Sequence, residues 1–407
     1  MRRDGNMNRT IFAGIFLKRP GISSERTGKN KMPDKKKITI LYSTAGMGHK
    51  KAAIALYDAF RKKTDDVDIE IIDVLDYANR LYRFLYLDFY VFMMSRAKWL
   101  WGILYYFSNN LIVEKITQKA RWALDHKCLP GLAEKIAKKD PDAVIATHFL
   151  LPSIAPFLRE QEGFRAKMYT LITDYGPHAY WLSEFIDRFF VGAEPVVEEL
   201  VKKGIEPDKI TVTGIPTTGE FIRDHDLHAL REKYGLDPGR KTVFMMSGGF
   251  GVGPIGEMLL SLNSCACEIQ VITVCGHNKA TYHSIRQLKE RLDYPLVLFG
   301  FTDKVAELMA VSELMVTKAG GISVTEALNM RLPMILFGSI PGQETWNEKL
   351  LVSSGAAEKV VKVEEIPPVV DRILLSEDVY VSMAEGIDRI RRPDAAEAIL
   401  ETVMQEI

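Results

Sequence analysis

Four cysteines in 407 residues, Cys128, Cys265, Cys267 and Cys275, are too few and too irregularly spaced to build a site. None forms a C-x-x-C pair, which argues against zinc and dithiol frameworks and fits a reducing cytosol. Net charge is also missing, because 53 Lys and Arg balance 53 Asp and Glu. A neutral chain has no global field to draw it onto nucleic acid, so no nucleic-acid partner is expected. Attraction to a membrane or an acidic ligand must come from local patches. No apolar run reaches the ~20 residues that a transmembrane helix needs. The uncharged stretch 99–113 is too short and carries Ser108, Asn109 and Asn110. The Walker A spacing is absent too, which removes the P-loop reading of any glycine turn.

What is present is a globular composition, 47% hydrophobic and 26% charged, in a chain long enough for two cores. Residues 1–35 are rich in Lys and Arg and hold one short apolar run at 11–17. They read as a disordered basic tail, inert or touching anionic lipid, with Met32 as a rival start. Beyond the tail, short apolar runs alternate with amphipathic stretches. The strand candidates are 38–42, 68–74, 143–147, 168–173, 188–191 and 210–213, then 242–246, 268–275, 296–299, 314–317 and 334–337. Two such series imply two parallel-sheet α/β domains, 36–220 and 221–407, separated in the polar stretch 216–240. Ligands of such sheets bind beyond the strand C-termini, here in a cleft between facing domains.

Glycine turns follow several of these strands. In Gly46-Met47-Gly48-His49 an imidazole opens a helix. The helix dipole there keeps the ring neutral, as a general base requires. A dinucleotide fingerprint is the rival reading, with Asp73 as the ribose acid, but Lys51 stands where that motif needs a small residue. A purely structural turn explains the glycines and leaves the histidine unexplained. In residues 316–327, Lys318, Gly320 and Gly321 precede a helix in the manner of an anion site, and Glu326 has the chemistry to hold a ribose diol. Ser247, Gly248 and Gly249 are candidates for the other side of a diphosphate. Gln343 and Glu344, with Asn347 beyond them, suit sugar hydroxyls. In the first half Thr147, His148, Thr173, Asp174 and His178 end strands with polar groups, and Asp174 is a candidate to orient or assist His49. Each of these turns also has a bland reading as a helix cap.

Residues 82–107 are crowded with aromatics, among them Trp99, Trp101, Tyr105 and Tyr106, interspersed with Arg83, Arg96 and Lys98. Helices apolar nearly all round, with basic residues between, suit an anionic membrane surface. Core packing is the alternative.

The same stretches carry a family likeness. They are Gly46-x-Gly48-His49, Thr173-Asp174 with His178 and Trp181, Thr213-Gly214-Ile215-Pro216, the glycine run 248–254, Cys275-Gly276-x-Asn278, Gly300-Phe301, Thr317-Lys318-Ala319-Gly320 with Glu326-Ala327, and Gly342-Gln343-Glu344. In this order they resemble the monogalactosyldiacylglycerol synthase and processive diacylglycerol glucosyltransferase family, related to glycosyltransferase family 28. More distantly they resemble the bacterial enzyme that adds N-acetylglucosamine to lipid I. The resemblance implies a GT-B fold and an inverting hexosyl transfer, of glucose or galactose, from a UDP-sugar to diacylglycerol or a related lipid. It implies His49 as base, Ser247, Gly248, Gly320 and Gly321 near the diphosphate, Phe301 near uracil, Glu326 on the ribose, and Gln343 and Glu344 on the sugar. No cofactor or catalytic metal is implied. The enzyme would sit peripherally on the cytoplasmic face of the cell membrane. A lipid I type N-acetylglucosaminyltransferase, a sugar-nucleotide epimerase and a UDP-sugar-sensing scaffold are the other readings. Ser43-Thr44-Ala45 departs from the glycine-richer first loop of the plant-type enzymes, which bears on acceptor choice.

Overall fold

The computed structural model describes residues 35–407 apart from 45, 65, 85–92, 94–96, 249, 250 and 252. The basic tail, Gly249, Arg96 and the aromatics between 85 and 92 lie outside the described residues.

The first series of strands comprises β1 (Lys36–Tyr42), β2 (Val67–Asp73), β3 (Ala143–Ala146), β4 (Lys167–Leu171), β5 (Arg188–Val191) and β6 (Ile210–Val212). The second comprises β7 (Lys241–Met246), β8 (Ile269–Val274), β9 (Leu296–Phe299), β10 (Leu314–Thr317), β11 (Met334–Phe337) and β12 (Ala357–Val360). They form two six-stranded sheets, β2-β1-β3-β4-β5-β6 and β12-β11-β10-β7-β8-β9, with every pairing parallel. Central strands such as β8 are buried along their whole length, which is why the sequence shows them as unbroken apolar runs. The strand β12 was not anticipated. Its sequence Ala-Glu-Lys-Val buries only its two ends, and as an edge strand it needs no continuous apolar run.

Chain direction across the sheet reverses between β1 and β3 in the first sheet and between β7 and β10 in the second. Each reversal opens a crevice at the strand C-termini, because the connections on either side leave in opposite directions. The glycine turns after β1, β7 and β10 therefore flank these two crevices. Three helices begin near them or across from them: α1 (Met47–Lys63), α4 (Gly321–Asn329) and α5 (Gln343–Ser354). Between α1 and α4 in the chain, the aromatic segment contains α2 (Lys98–Ser108) and leads into α3 (Leu111–Cys128).

One apolar cluster runs through both halves, from Ile40, Phe60 and Tyr169 to Phe244, Met315 and Leu336. Ala52 and Ala53 let α1 lie close on the first sheet, with Leu56 and Phe60 completing its buried face. The last helix, α6 (Ala395–Glu406), returns to the first sheet. Lys63 meets Glu401 at 2.9 Å, and Arg188 Nε donates to Glu406 at 2.6 Å. Helix α3 is held by a buried charge cluster, in which Arg121 donates to Glu114 and to Ser153, each at 2.6 Å. That anchoring leaves much of the apolar surface of α2 and α3 outward: Trp99, Ile103, Phe107, Ile112 and Ile116 are all more than half exposed.

Candidate active site

Helix α1 starts directly after β1, with Gly46 extended as its N-cap residue and Gly48 against Ile322 of α4. This puts His49 in the first turn, beside the crevice between β1 and β3. Its Nδ1 lies 2.6 Å from the Thr147 carbonyl oxygen at the end of β3. A carbonyl only accepts, so Nδ1 carries the proton, and Thr173 Oγ1 is a second acceptor 3.0 Å away. Nε2 is left with its lone pair and takes no hydrogen bond from a described residue. Burial pushes the imidazole pKa down to about 4, against the smaller pull of the Thr147 bond. The ring is therefore neutral at pH 7, with its basic nitrogen set by a backbone carbonyl. His148 packs edge-on to it at 4.7 Å and is held far below the usual histidine range by burial and by His49 itself.

Asp174 does not meet His49 in the contacts that define either group; its neighbour Thr173 does. The Asp174 carboxylate instead crosses to the second domain, accepting from Gln343 Nε2 at 2.8 Å and Asn347 Nδ2 at 3.0 Å. It is buried, and desolvation raises its pKa to about 7 over the opposing effect of those two donors, with Glu344 adding to the rise. Asn347 is a three-way tie. It also donates to the Ala319 carbonyl at 2.8 Å and accepts from the Tyr175 amide at 2.6 Å. The domains approach so closely here that a Cβ on Gly321 would stand 2.3 Å from the Thr173 carbonyl oxygen. Only glycine fits that position.

Glu326, the candidate ribose ligand, is 1% exposed and ion-paired to Lys51 of α1 at 2.6 Å. Burial raises its pKa and Lys51 lowers it. Lys51 was legible only as a misfit to the dinucleotide fingerprint. The structure gives it a partner 275 residues away, a distance over which no local pattern signals a contact. Asp73, the acid of that fingerprint, is occupied in capping the turn after β2 through the Leu75 amide at 3.0 Å.

The remaining candidates divide by location. Ser247 and Gly248 follow β7, where Gly248 takes a left-handed conformation (φ 66°). Lys318 and Gly320 follow β10, and Gly320 is the N-cap residue of α4. The N-termini of α1 and α4 both open on the same cleft, so two positive dipole ends converge there. Phe301 is 55% exposed and stacks on His277 at 4.2 Å. Glu344 accepts from the Ile340 amide at 2.6 Å, across the turn that leads into α5. His178 bonds Ser108 through Nε2 at 3.1 Å, tying α2 to the loop after β4. Burial takes its pKa down to about 4. Of the four aromatics, Trp99 and Tyr106 are exposed and Trp101 is half-buried. Tyr105 is buried against Gly342, whose φ of 95° and missing Cβ make room for the ring. The aromatic helix thus touches the turn that carries Gln343.

Comparison with known proteins accords with this layout. The family described as monogalactosyldiacylglycerol (MGDG) synthase matches residues 49–217, and the glycosyltransferase family 28 C-terminal domain matches 242–398. The chain is 29% identical over 376 residues to a processive diacylglycerol beta-glucosyltransferase of Bacillus pumilus strain SAFR-032, covering 92% of this chain and 96% of that one. It is 31% identical over 378 residues to the protein of the same name from Bacillus cereus strain ATCC 10987, covering 91% and 94%. Among solved structures, Acinetobacter baumannii MurG superposes with a TM-score of 0.57 at 13% identity, over 91% of this chain and 99% of that one. That likeness concerns the fold, which is the two-domain GT-B arrangement.

Proposed function

The chain belongs to the diacylglycerol glycosyltransferase family that joins an MGDG synthase domain to a family 28 C-terminal domain, and on that premise we propose that it transfers a hexose from a UDP-sugar to diacylglycerol with inversion at the anomeric carbon. The relatives' names point to glucose. The observation that carries the reading is the state of His49 beside the crevice between β1 and β3: neutral, its Nδ1–H held by the Thr147 carbonyl, its Nε2 lone pair unused.

The reaction is one in-line displacement. The acceptor hydroxyl gives its proton to His49 Nε2 as its oxygen bonds to the sugar C1. The C1–phosphate oxygen bond breaks on the opposite face, and UDP leaves with the electron pair, so an α-linked donor gives a β-glycoside. Negative charge develops on the diphosphate, where the N-terminus of α4 at Gly320 and Gly321, with Lys318, supplies preorganised stabilisation. Ser247, Gly248 and Gly249 complete the diphosphate site, and Phe301 lies against uracil. Glu326 takes the ribose, exchanging part of its bond to Lys51 for hydroxyl donors. Gln343 and Glu344 hold the hexose. In this reading the charge is met by protein groups, and neither metal nor cofactor enters the chemistry.

The acceptor reaches the cleft from a bilayer. Among the described residues no helix is long and apolar enough to cross a membrane. The exposed side chains of Trp99, Ile103, Tyr106, Phe107, Ile112 and Ile116 instead suit shallow insertion at the cytoplasmic face, with Lys115 and Lys119 exposed on α3 to meet anionic headgroups. The test is a transfer assay with diacylglycerol liposomes and radiolabelled UDP-glucose, UDP-galactose or UDP-N-acetylglucosamine, each with EDTA. Label from UDP-glucose in the lipid phase is the expected result. Label only from UDP-N-acetylglucosamine, or only when EDTA is omitted, overturns the donor or the metal-free part of the reading.

A further inference from the structure

Gln343 is the first residue of α5, half-buried at the cleft, and its amide has two ends of opposite polarity. One end is committed: Nε2 donates to Asp174 Oδ2 at 2.8 Å. The carbonyl oxygen takes no hydrogen bond from a described residue. The partner that fixes this choice is itself fixed. Asp174 Oδ1 is taken by Asn347 Nδ2, and Asn347 cannot turn round, because its own Oδ1 receives the Tyr175 amide at 2.6 Å and its Nδ2 also serves the Ala319 carbonyl. Asp174 Oδ2 is therefore the acceptor left for Gln343, and above its pKa of about 7 the group is a carboxylate with no hydrogen to offer in return.

We propose that Asp174 is a positioning residue for donor recognition: from the acceptor domain it locks the Gln343 amide with Nε2 inward, so that Oε1 faces the donor sugar and reads it as a hydroxyl donor. The proposal rests on the reading of Gln343 as a sugar contact. It gives the buried Asp174 a task distinct from helping His49, which already has Thr147 and Thr173. It also makes the sugar contact a property of both domains, since the loop after β4 supplies the group that orients a donor-domain side chain.

The test exploits polarity. In Asp174→Asn the new Oδ1 serves Asn347, so the new Nδ2 faces Gln343 and forces its amide to flip, presenting Nε2 to the sugar. At pH 8, where Asp174 is ionised in the wild type, UDP-glucose affinity falls about tenfold, the scale of one net hydrogen bond lost. Affinity for UDP, which has no sugar, stays within twofold and reports the fold. The acid limb assigned to His49 stays near pH 4 at saturating donor, because His49 is untouched. Adding Gln343→Glu to Asp174→Asn restores UDP-glucose affinity, since a carboxylate accepts from the new amide and offers its other oxygen outward. Gln343→Glu alone puts two carboxylates face to face and at pH 8 loses as much affinity as Gln343→Ala.

Each part fails separately. If Gln343→Ala leaves UDP-glucose affinity unchanged, the sugar-contact reading falls and this proposal with it. If Gln343→Ala weakens binding while Asp174→Asn does not, or the double variant shows no rescue, the positioning role alone is overturned. A shifted His49 limb with unchanged donor affinity in Asp174→Asn assigns Asp174 to His49 instead. Should Asp174→Asn not fold, full UDP-glucose affinity in Gln343→Glu at pH 8 is sufficient to refute the proposal.

Discussion

Asp174 offers a stability experiment whose size follows from its surroundings. Its carboxyl is buried, and desolvation lifts its pKa from 3.8 to about 7 in the folded protein despite two amide donors. Between roughly pH 4 and 7 the folded state then holds a proton that the unfolded chain has released. Stability contributed by this group is greatest at low pH and is lost as pH rises through the folded pKa, with a slope of about 1.4 kcal/mol per pH unit. Across the window the loss approaches about 4 kcal/mol, an order-of-magnitude figure from the shift at 1.36 kcal/mol per unit. Asp174→Asn removes the titration. Its fixed cost in hydrogen bonding shifts the whole curve but does not tilt it, so the difference between the two proteins isolates the group. Urea denaturation of both at pH 5, 6, 7 and 8, followed by tryptophan fluorescence, is the assay. The wild type should lose stability relative to the variant with every step upward, levelling off above pH 7. A difference that stays flat within about 1 kcal/mol would refute the reasoning, since it would mean that Gln343 and Asn347 offset the burial fully.

Three further outcomes follow from the same geometry. His49→Ala should keep its UDP affinity and lose about 10²-fold or more in turnover. In the wild type the acid limb of kcat/KM assigned to His49 should lie near pH 4, because burial depresses that pKa; a His49 limb at the ordinary value of 6.5 would contradict the desolvated ring. Lys51→Met strands the Glu326 carboxylate, which is 1% exposed. Removing one partner of a buried pair costs about 3–5 kcal/mol, and the one-third exposure of Lys51 reduces that to roughly 1–3 kcal/mol. Urea titration at pH 8 measures it, and unchanged stability would mean that the pair contributes nothing net. Trp99→Ser with Phe107→Ser should weaken sedimentation with anionic liposomes and leave UDP affinity intact; equal liposome binding would remove the membrane role of α2.

The fold was legible because a parallel sheet buried on both faces writes itself as continuous apolar runs. The run before Gly46 and the run before Gly320 each announced a strand, a turn and a helix, and the structure has β1 with α1 and β10 with α4 in those places. The edge strand β12 escaped because half of it faces outward, leaving no apolar run to find. At the site, the sequence put an imidazole at a helix start and glycines at strand ends, since both are local features of chain geometry. It could not give the acceptor that fixes the His49 tautomer, Thr147, 98 residues on.

The sequence by itself determined two α/β halves, the glycine turns at their strand ends, and the chemical inventory of the cleft. Those depend on periodicity and turn chemistry, which act over a few residues. Tertiary structure alone decided the pairings. Lys51 went to Glu326, and Asp174 went to Gln343 across 169 residues rather than to His49. Tyr105 turned inward to Gly342 while Trp99 and Tyr106 stayed outside. Side chains of one type and one spacing had several partners open to them. The choice was made by which strand ends the two sheet reversals brought within hydrogen-bond reach, and by the close approach at Gly321 that drew the domains together.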